Sequence, residues 1–277
     1  MSRHIACLSF DFDAMSGHVA DGMVTPTPIS QGEFGNIGAG RILDLLGEKG
    51  IESTWFIPGV VVEVYEKTVR RINREGHEIG HHGWTHTPPA ALSRAQEQTS
   101  LKWGNDAIER VTGRRARGYR SPSWDLSEHT VDLLLDEEFV YDSSMMGHDH
   151  SPYFTRSGDS VREDGVFQFG SPTSLVEMPI SWSLDDFPHF EYLRADTVTY
   201  PGLNNAGCVL ENWLGDFDYM VAHAKWGVLT YTMHPYVIGR GSRMLALEGL
   251  LDELAEAGAV FLTMEDAARE ARGKMGG

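Results

Sequence analysis

Leu8-Ser9-Phe10-Asp11-Phe12-Asp13 closes an apolar run that begins near residue 4. Residues 4–13 predict a strand buried on both faces, because the run is nearly continuous rather than alternating. Positions two apart in an extended strand face the same way. Asp11 and Asp13 therefore project together from the strand's carboxyl end. Two carboxylates held side by side repel unless a cation or a shared proton relieves them. A first strand with this ending directs attention to the ends of the other strands and to any metal-ligating residues there.

Working outward, residues 14–38 are rich in Gly, Pro, Ser and Thr and predict a long functional loop. Residues 41–49 predict a helix stopped at Gly50. Strands are predicted over 51–57, 77–81, 116–120, 139–143, 175–180, 227–233 and 259–263. Helices are predicted over 60–74, from Ser127 to Glu137, and over 211–225, 242–257 and 264–272. Ser93-Arg94-Ala95-Gln96 fits a capping box for one more helix that ends near Val111. Residues 144–172 form a second long irregular segment. Repeated alternation of strand and helix predicts a parallel α/β fold, a distorted (β/α) barrel of about seven strands. An open doubly wound sheet is the second choice, weakened because no Gly-rich phosphate loop follows the first strand. No break in composition divides the chain, so residues 1–277 are expected to form one domain.

The 277 residues carry 23 Lys and Arg against 40 Asp and Glu, a formal charge of −17. Such a field argues against nucleic acid or an anionic membrane as partner. The one basic cluster, Arg110, Arg114, Arg115 and Arg117, reads as a solvated helix end and turn. Cys7 and Cys208 form neither a disulfide framework nor a thiolate zinc site, and Cys7 lies in the apolar first strand as a buried thiol. No apolar run is long enough to span a bilayer. The sequence leads directly into a core strand, and the expected location is the cytoplasm.

Unusual polar residues gather where strands are expected to end. Asp11 and Asp13 end the first, His82 and His86 follow the third, Arg120 follows the fourth, and His234-Pro235 follows 227–233. In a barrel those ends share one face and build the active site. His82-x-x-x-His86 with Asp13 makes a two-His, one-carboxylate set with open positions, the donor set of catalytic zinc and also of non-haem iron oxygenases. His77 and His81 are expected to be structural. A turn-capping pair of aspartates, an ordinary ion pair at Arg120 and a core histidine at 234 are the plainer alternatives.

The pieces Ser9-Phe10-Asp11-Phe12-Asp13, His82-x-x-x-His86, Arg120-Ser121-Pro122 and Met233-His234-Pro235 occur in the order of the motifs of the polysaccharide deacetylase (NodB-homology) family, which the whole chain resembles. Gly76-His77-Glu78-Ile79-Gly80-His81-His82 also resembles that family's approach to its histidine pair. The resemblance implies a distorted (β/α) barrel and a hydrolase of non-peptide C–N bonds. It implies that Asp13, His82 and His86 bind one divalent metal, commonly zinc, with cobalt, nickel, iron or manganese as alternatives. It assigns Asp11 as catalytic base, Arg120 as the residue that orients it, and His234 as general acid.

Two departures from the pattern matter. Sugar-deacetylating members carry adjacent aspartates, whereas Phe12 separates Asp11 from Asp13 here. The acidic-aromatic motif that supports the acid histidine is not evident, although Glu177-Met178-Pro179 and Trp182 to Asp186 occupy that region. The Phe-Asp-Phe-Asp form, Gly32-Glu33-Phe34-Gly35 and Gly239-Arg240 resemble a branch of peptidoglycan deacetylases and allantoinase-like or cyclic-imide hydrolases. The substrate is thus an N-acetyl sugar or a small amide or imide, and the resemblance implies a homo-oligomer. Glu33, Trp124, Glu177, Trp182, Asp186 and Arg240 are the candidate substrate-binding residues, and Arg240 suits a substrate carboxylate. His148-Asp149-His150 reads as a substrate-rim or solvated segment rather than a second metal site. A non-catalytic metal-binding protein would need none of Asp11, Arg120 and His234.

Overall fold

The structure, a computed structural model, describes residues 2–194 and 199–276, with the backbone alone over 192–194 and 199–201. Its main sheet has nine strands. In chain order they are β1 (Arg3–Asp11), β2 (Thr54–Ile57), β3 (Glu78–His81), β4 (Gly118–Tyr119), β5 (Tyr141–Asp142), β6 (Tyr153–Ser157), β7 (Ser171–Glu177), β8 (Trp226–Met233) and β9 (Val260–Phe261). Their spatial order is β8-β1-β2-β3-β4-β5-β7-β6, and β9 also pairs with β1. All pairs are parallel except β6 with β7. Seven parallel strands from β8 to β7 thus form a curled, open barrel, as expected from the sequence.

Alternation along β1 explains its two-sided burial. Ala6, Leu8, Phe10 and Phe12 join the large core between sheet and helices. Ile5 and Cys7 face a smaller inner core with Phe56, Tyr141, Val176, Met178 and Val228. That inner core is closed by Met264, Ala267 and Ala268 of the carboxyl-terminal helix, α11 below. Ser9, Asp11 and Asp13 continue the inner series, so period two aims both carboxylates into the barrel. Burial raises the Cys7 thiol pKa far above its ordinary value, and the thiol is inert.

The helices are α1 (Ser16–Ala20), α2 (Pro26–Lys49), α3 (Gly59–Val64), α4 (Glu66–Arg74), α5 (Arg94–Thr112), α6 (Thr130–Asp136), α7 (Asp186–Phe190), α8 (Ala206–His223), α9 (Pro235–Ile238), α10 (Gly241–Glu256) and α11 (Met264–Met275). The capping box at Ser93 is formed as read from the sequence. The expected loop over 14–38 is instead mostly helical: α2 begins at Pro26, fifteen residues before the helix anticipated at 41. Gly32 and Gly38 of this helix serve close packing rather than flexibility. A Cβ at Gly38 would overlap the Pro235 carbonyl, and one at Gly32 would overlap the backbone of Ala14 and Met15. The helix therefore presses directly on the turns that follow β1 and β8. Two smaller differences also emerge. The helix expected over 60–74 is broken at Tyr65, and the irregular segment 144–172 contributes the antiparallel edge strand β6. Among the described residues no helix is long and apolar enough to cross a membrane.

Candidate active site and metal centre

Register brings the strand ends into one row. Phe10 pairs with Met233 and Asp11 with Phe56, while Ile57, His81, Tyr119, Asp142 and Glu177 pair in succession across β2, β3, β4, β5 and β7. One step beyond that row lie His82, Arg120, Ser143 and His234. Left-handed residues follow closely: Ala14 (φ 47°), His86 (φ 60°), and Ser123 and Trp124 (φ 55° and 54°). Non-glycine residues in this region are strained, and such strain concentrates in site-building loops.

Asp13 lies at the centre. Its Oδ1 is 3.4 Å from His82 Nε2, and its Oδ2 is 3.3 Å from His86 Nε2 and 3.7 Å from His234 Nε2. The His82 and His86 rings meet edge to face at 5.0 Å. His82 Nδ1 is 2.7 Å from the Arg120 carbonyl, which can only accept, so Nδ1 carries the proton. In the neutral ring Nε2 therefore turns a lone pair toward Asp13. Asp13 Oδ1 is buried and has no hydrogen-bond donor among the described residues. Two acceptors facing each other at this distance call for a cation, and the remaining ligand, His86, completes a three-donor set that fits one divalent ion. Burial pushes the Asp13 pKa up, but the neighbouring histidines, His86 foremost, outweigh it and hold the carboxyl well below the usual range.

Asp11 is tied elsewhere. Its Oδ1 accepts from Arg120 Nη1 at 2.8 Å, and its Oδ2 lies 3.9 Å from His82 Nε2. Arg120 is fully buried. It donates through Nη1 also to Ser9 Oγ (2.8 Å), through Nε to the Ser143 carbonyl (3.1 Å) and through Nη2 to Ser143 Oγ (2.9 Å), with Met264 Sδ at 3.8 Å. Its guanidinium stacks 4.3 Å from the Phe56 ring centroid. A buried cation survives only when its donors are matched in this way. The guanidinium is fixed, and it fixes Asp11.

His234 enters from the opposite wall. Its Nδ1 donates to Asp186 Oδ1 at 2.7 Å, and its backbone N–H donates to both Asp186 oxygens at 3.0 Å. Asp185 Oδ1 lies 3.6 Å from the same Nδ1. Burial lowers the His234 pKa, but Asp185 and the Asp186 hydrogen bond and charge outweigh it and raise the imidazolium well above the ordinary value. The pair also shifts in turn, with Asp185 pushed up to about 7, first by burial. The support for His234 is thus the Asp185-Asp186 step at the start of α7. The sequence reading gives Asp186 as a candidate substrate contact and places Trp182 to Asp186 loosely in the region of the motif that supports the acid histidine; here the acidic doublet lies against His234.

The other candidates divide. Trp124 and Trp182 stack at 4.0 Å, with Trp182 half exposed, beside the turn that carries Arg120. Arg240 stacks 4.0 Å over Phe34 and donates through Nε to the Tyr236 carbonyl. Glu33 is exposed on α2. Glu177 is fully buried and accepts from the backbone amides of Ser144 and Met145, so its carboxylate supports the loop after β5 rather than facing a cleft. His77 Nδ1 accepts from Ser53 N–H and His81 Nδ1 from Gly83 N–H, which makes both scaffold residues. His148-Asp149-His150 lies by the amino end of β8, where the His150 carbonyl accepts from Val228, far along the strand from His234. It is not at the rim of this site.

Comparison with known proteins agrees with the geometry. The polysaccharide deacetylase family model matches residues 36–140. The peptidoglycan deacetylase of Helicobacter pylori is 32% identical over 257 residues, 88% of this chain and 87% of that protein. A solved candidate polysaccharide deacetylase from Mycobacterium smegmatis superposes with a TM-score of 0.85 at 30% identity, covering 99% of this chain and 92% of that one. The solved Puue allantoinase shares the fold, with a TM-score of 0.76 at 21% identity over 97% of this chain and 90% of its own. The chain therefore belongs to the polysaccharide deacetylase family of hydrolases, which act on C–N bonds other than peptide bonds.

Proposed function

We propose that this protein is a metal-dependent deacetylase of N-acetylated sugars of the peptidoglycan type, with residues 1–277 as one catalytic domain. One observation carries the reading: the two carboxylates of the first strand are separated in role by their partners, Asp11 by Arg120 and Asp13 by two imidazoles. Asp13, His82 and His86 would hold the ion, zinc being the best match to the donors, and when bound it supplies a Lewis acid beside the scissile amide. Asp11, held in place by the 2.8 Å contact from Arg120, takes a proton from the attacking water. His234, held as imidazolium by Asp185 and Asp186, gives its Nε2 proton to the departing nitrogen, which would otherwise leave as a poor amide anion. The Trp124–Trp182 stack offers an aromatic wall to a sugar ring.

A second reading, hydrolysis of a small cyclic imide or ureide, is favoured by Arg240. Its guanidinium lies 4.0 Å over the Phe34 ring and is anchored through Nε, a suitable holder for a planar or anionic substrate. Cytoplasmic placement goes with this reading, and cell fractionation tests it. The deciding experiment presents the zinc-loaded protein with an N-acetylglucosamine oligomer and, in parallel, with succinimide, hydantoin and allantoin. Acetate release from the oligomer is expected. Ring opening without acetate release would replace the first reading by the second, and turnover that depends on oxygen would overturn both.

A further inference from the structure

Among the described residues one cluster of metal-ligating side chains lies outside the site described above. His148, Asp149 and His150 offer three donor atoms that all lie within 4.8 Å of one another. Asp149 Oδ1 is the hub, 2.7 Å from His148 Nδ1 and 3.0 Å from His150 Nδ1. The two rings meet edge to face at 5.1 Å. His148 and Asp149 are exposed and His150 is half-buried, so the hub is open to a cation from solvent. Spacing alone reads this segment as solvated; the donor geometry says otherwise.

The loop is held from both ends. Gly147 N–H donates to the Tyr153 hydroxyl at 3.1 Å, and the His150 carbonyl accepts from Val228 N–H at 3.0 Å. The His150 ring faces Tyr219 of α8 at 6.4 Å. Within the loop, His148 Nδ1 accepts the backbone N–H groups of His150 and Ser151, both at 3.2 Å. An imidazole nitrogen that accepts carries no proton. The 2.7 Å contact with Asp149 Oδ1 therefore sets one acceptor against another, as His82 Nε2 and Asp13 Oδ1 do in the catalytic centre. Asp149 is a ready anion. Burial raises its pKa, but the His150 charge and the backbone N–H groups of Asp149 and His150 outweigh it and lower the carboxyl below its ordinary value. A cation relieves the contact, and the two N–H bonds it competes with are long ones. The net charge of −17 favours its arrival.

The two clusters differ in spacing, and spacing selects the ion. Donors about 2.0–2.1 Å from a metal stand about 3.3 Å apart in a tetrahedron, and about 2.9 Å apart at neighbouring corners of a square plane or octahedron. The contacts of Asp13 with His82 and His86, 3.4 and 3.3 Å, match the first. Those of Asp149, 2.7 and 3.0 Å, match the second. We propose that His148, Asp149 and His150 form a second metal site, one that takes copper(II). Two imidazoles and a carboxylate at neighbouring corners are a donor set suited to that tetragonal ion, and water fills its outer positions. The site does not touch the cleft. His150 is bonded at Val228, six residues before His234 along β8, about 20 Å of strand. It stands whether or not the deacetylase reading holds.

The test adds Cu²⁺ to the zinc-loaded protein and follows it by electron paramagnetic resonance. Wild type should bind one equivalent of Cu²⁺ that the double variant His148→Ala/His150→Ala does not bind. The spectrum of that equivalent should be axial and split by two imidazole nitrogens. Asp13→Ala, which lacks the central donor of the catalytic set, should bind the same equivalent. The double variant should retain the wild-type zinc content, which shows that it is folded. A second readout places the ion. Substoichiometric Cu²⁺ should broaden the amide resonances of Gly147, His150, Ser151 and Val228 in a ¹H–¹⁵N spectrum before those of Gly83 and Trp84, beside the catalytic histidines. Equal copper uptake by wild type and the double variant, copper that displaces zinc one for one, or broadening that begins at Gly83 would overturn the proposal.

Discussion

Two pairs of buried carboxylates sit at strand ends of the same sheet, and they meet the same electrostatic problem differently. Asp11 and Asp13 at the end of β1 face an arginine and three imidazoles, and Asp13 is held well below the usual carboxylate range. Asp142 at the end of β5 and Glu177 at the end of β7 face each other. Burial pushes Asp142 up to about 6 and Glu177 well above its usual value. Among the described residues Asp142 Oδ2 and Glu177 Oε2 find no other donor, so one proton shared between the carboxyls closes the pair. Cations relieve the first pair and a proton relieves the second. Only the first leaves an open acceptor, Asp13 Oδ1, in reach of histidine lone pairs, and that opening is what a metal and a substrate can use.

The comparison breaks most severely at Asp13 and Asp11. Asp13→Ala removes the central donor, and zinc measured after dialysis is expected to fall to background together with activity. Asp11→Asn leaves the three donors intact. Zinc content should stay at the wild-type level while kcat falls about a thousandfold or more. Equal zinc loss in both variants would mean that the two carboxylates act as one cluster, contrary to their separate partners.

A smaller effect is expected at Asp186. Its carboxylate and that of Asp185 raise the His234 pKa, so the imidazolium persists to higher pH than a free histidine would allow. Asp186→Asn keeps an acceptor near Nδ1 but removes the charge. The folded-state pKa of His234 then drops, the acidic form is lost at lower pH, and the alkaline limb of the kcat profile should move down by about one to two pH units. A limb that stays in place would assign it to another group.

The order of these effects follows what could be read from the residues themselves. Asp11, Asp13, His82, Arg120 and His234 were legible because strand period and strand ends are local features, and each stands within two residues of one. The first half of α2 was not, because Gly32, Gly35 and Gly38 look like loop punctuation until the turns they pack against are known. The bond from His234 to Asp186 is not legible from spacing, because the two lie 48 residues apart. Glu177 reads as a candidate substrate contact because a carboxylate in an apolar strand suggests function; its neighbour Asp142 belongs to an adjacent strand and is invisible to spacing.

The smallest expected effect sharpens the comparison from its closed side. In the folded protein Glu177 and Asp142 bind protons more tightly than in the unfolded chain, where their pKa values are about 4. The stability they contribute is therefore fully present below about pH 4 and is lost as the pH rises through the folded values, about 6 for Asp142 and well above the usual carboxylate range for Glu177. Glu177→Gln supplies a permanent N–H donor to Asp142 in place of the titrating proton and keeps an acceptor for the Ser144 and Met145 amides. The urea midpoint of the variant should match wild type near pH 5 and exceed it by about 1–2 kcal/mol of stability near pH 9. Because the pair contacts neither the imidazoles nor the cleft, kcat should stay within about twofold. If instead the two stability curves run parallel with pH, the carboxyls do not share a proton, and the contrast between the two pairs rests on the cations around Asp11 and Asp13 alone.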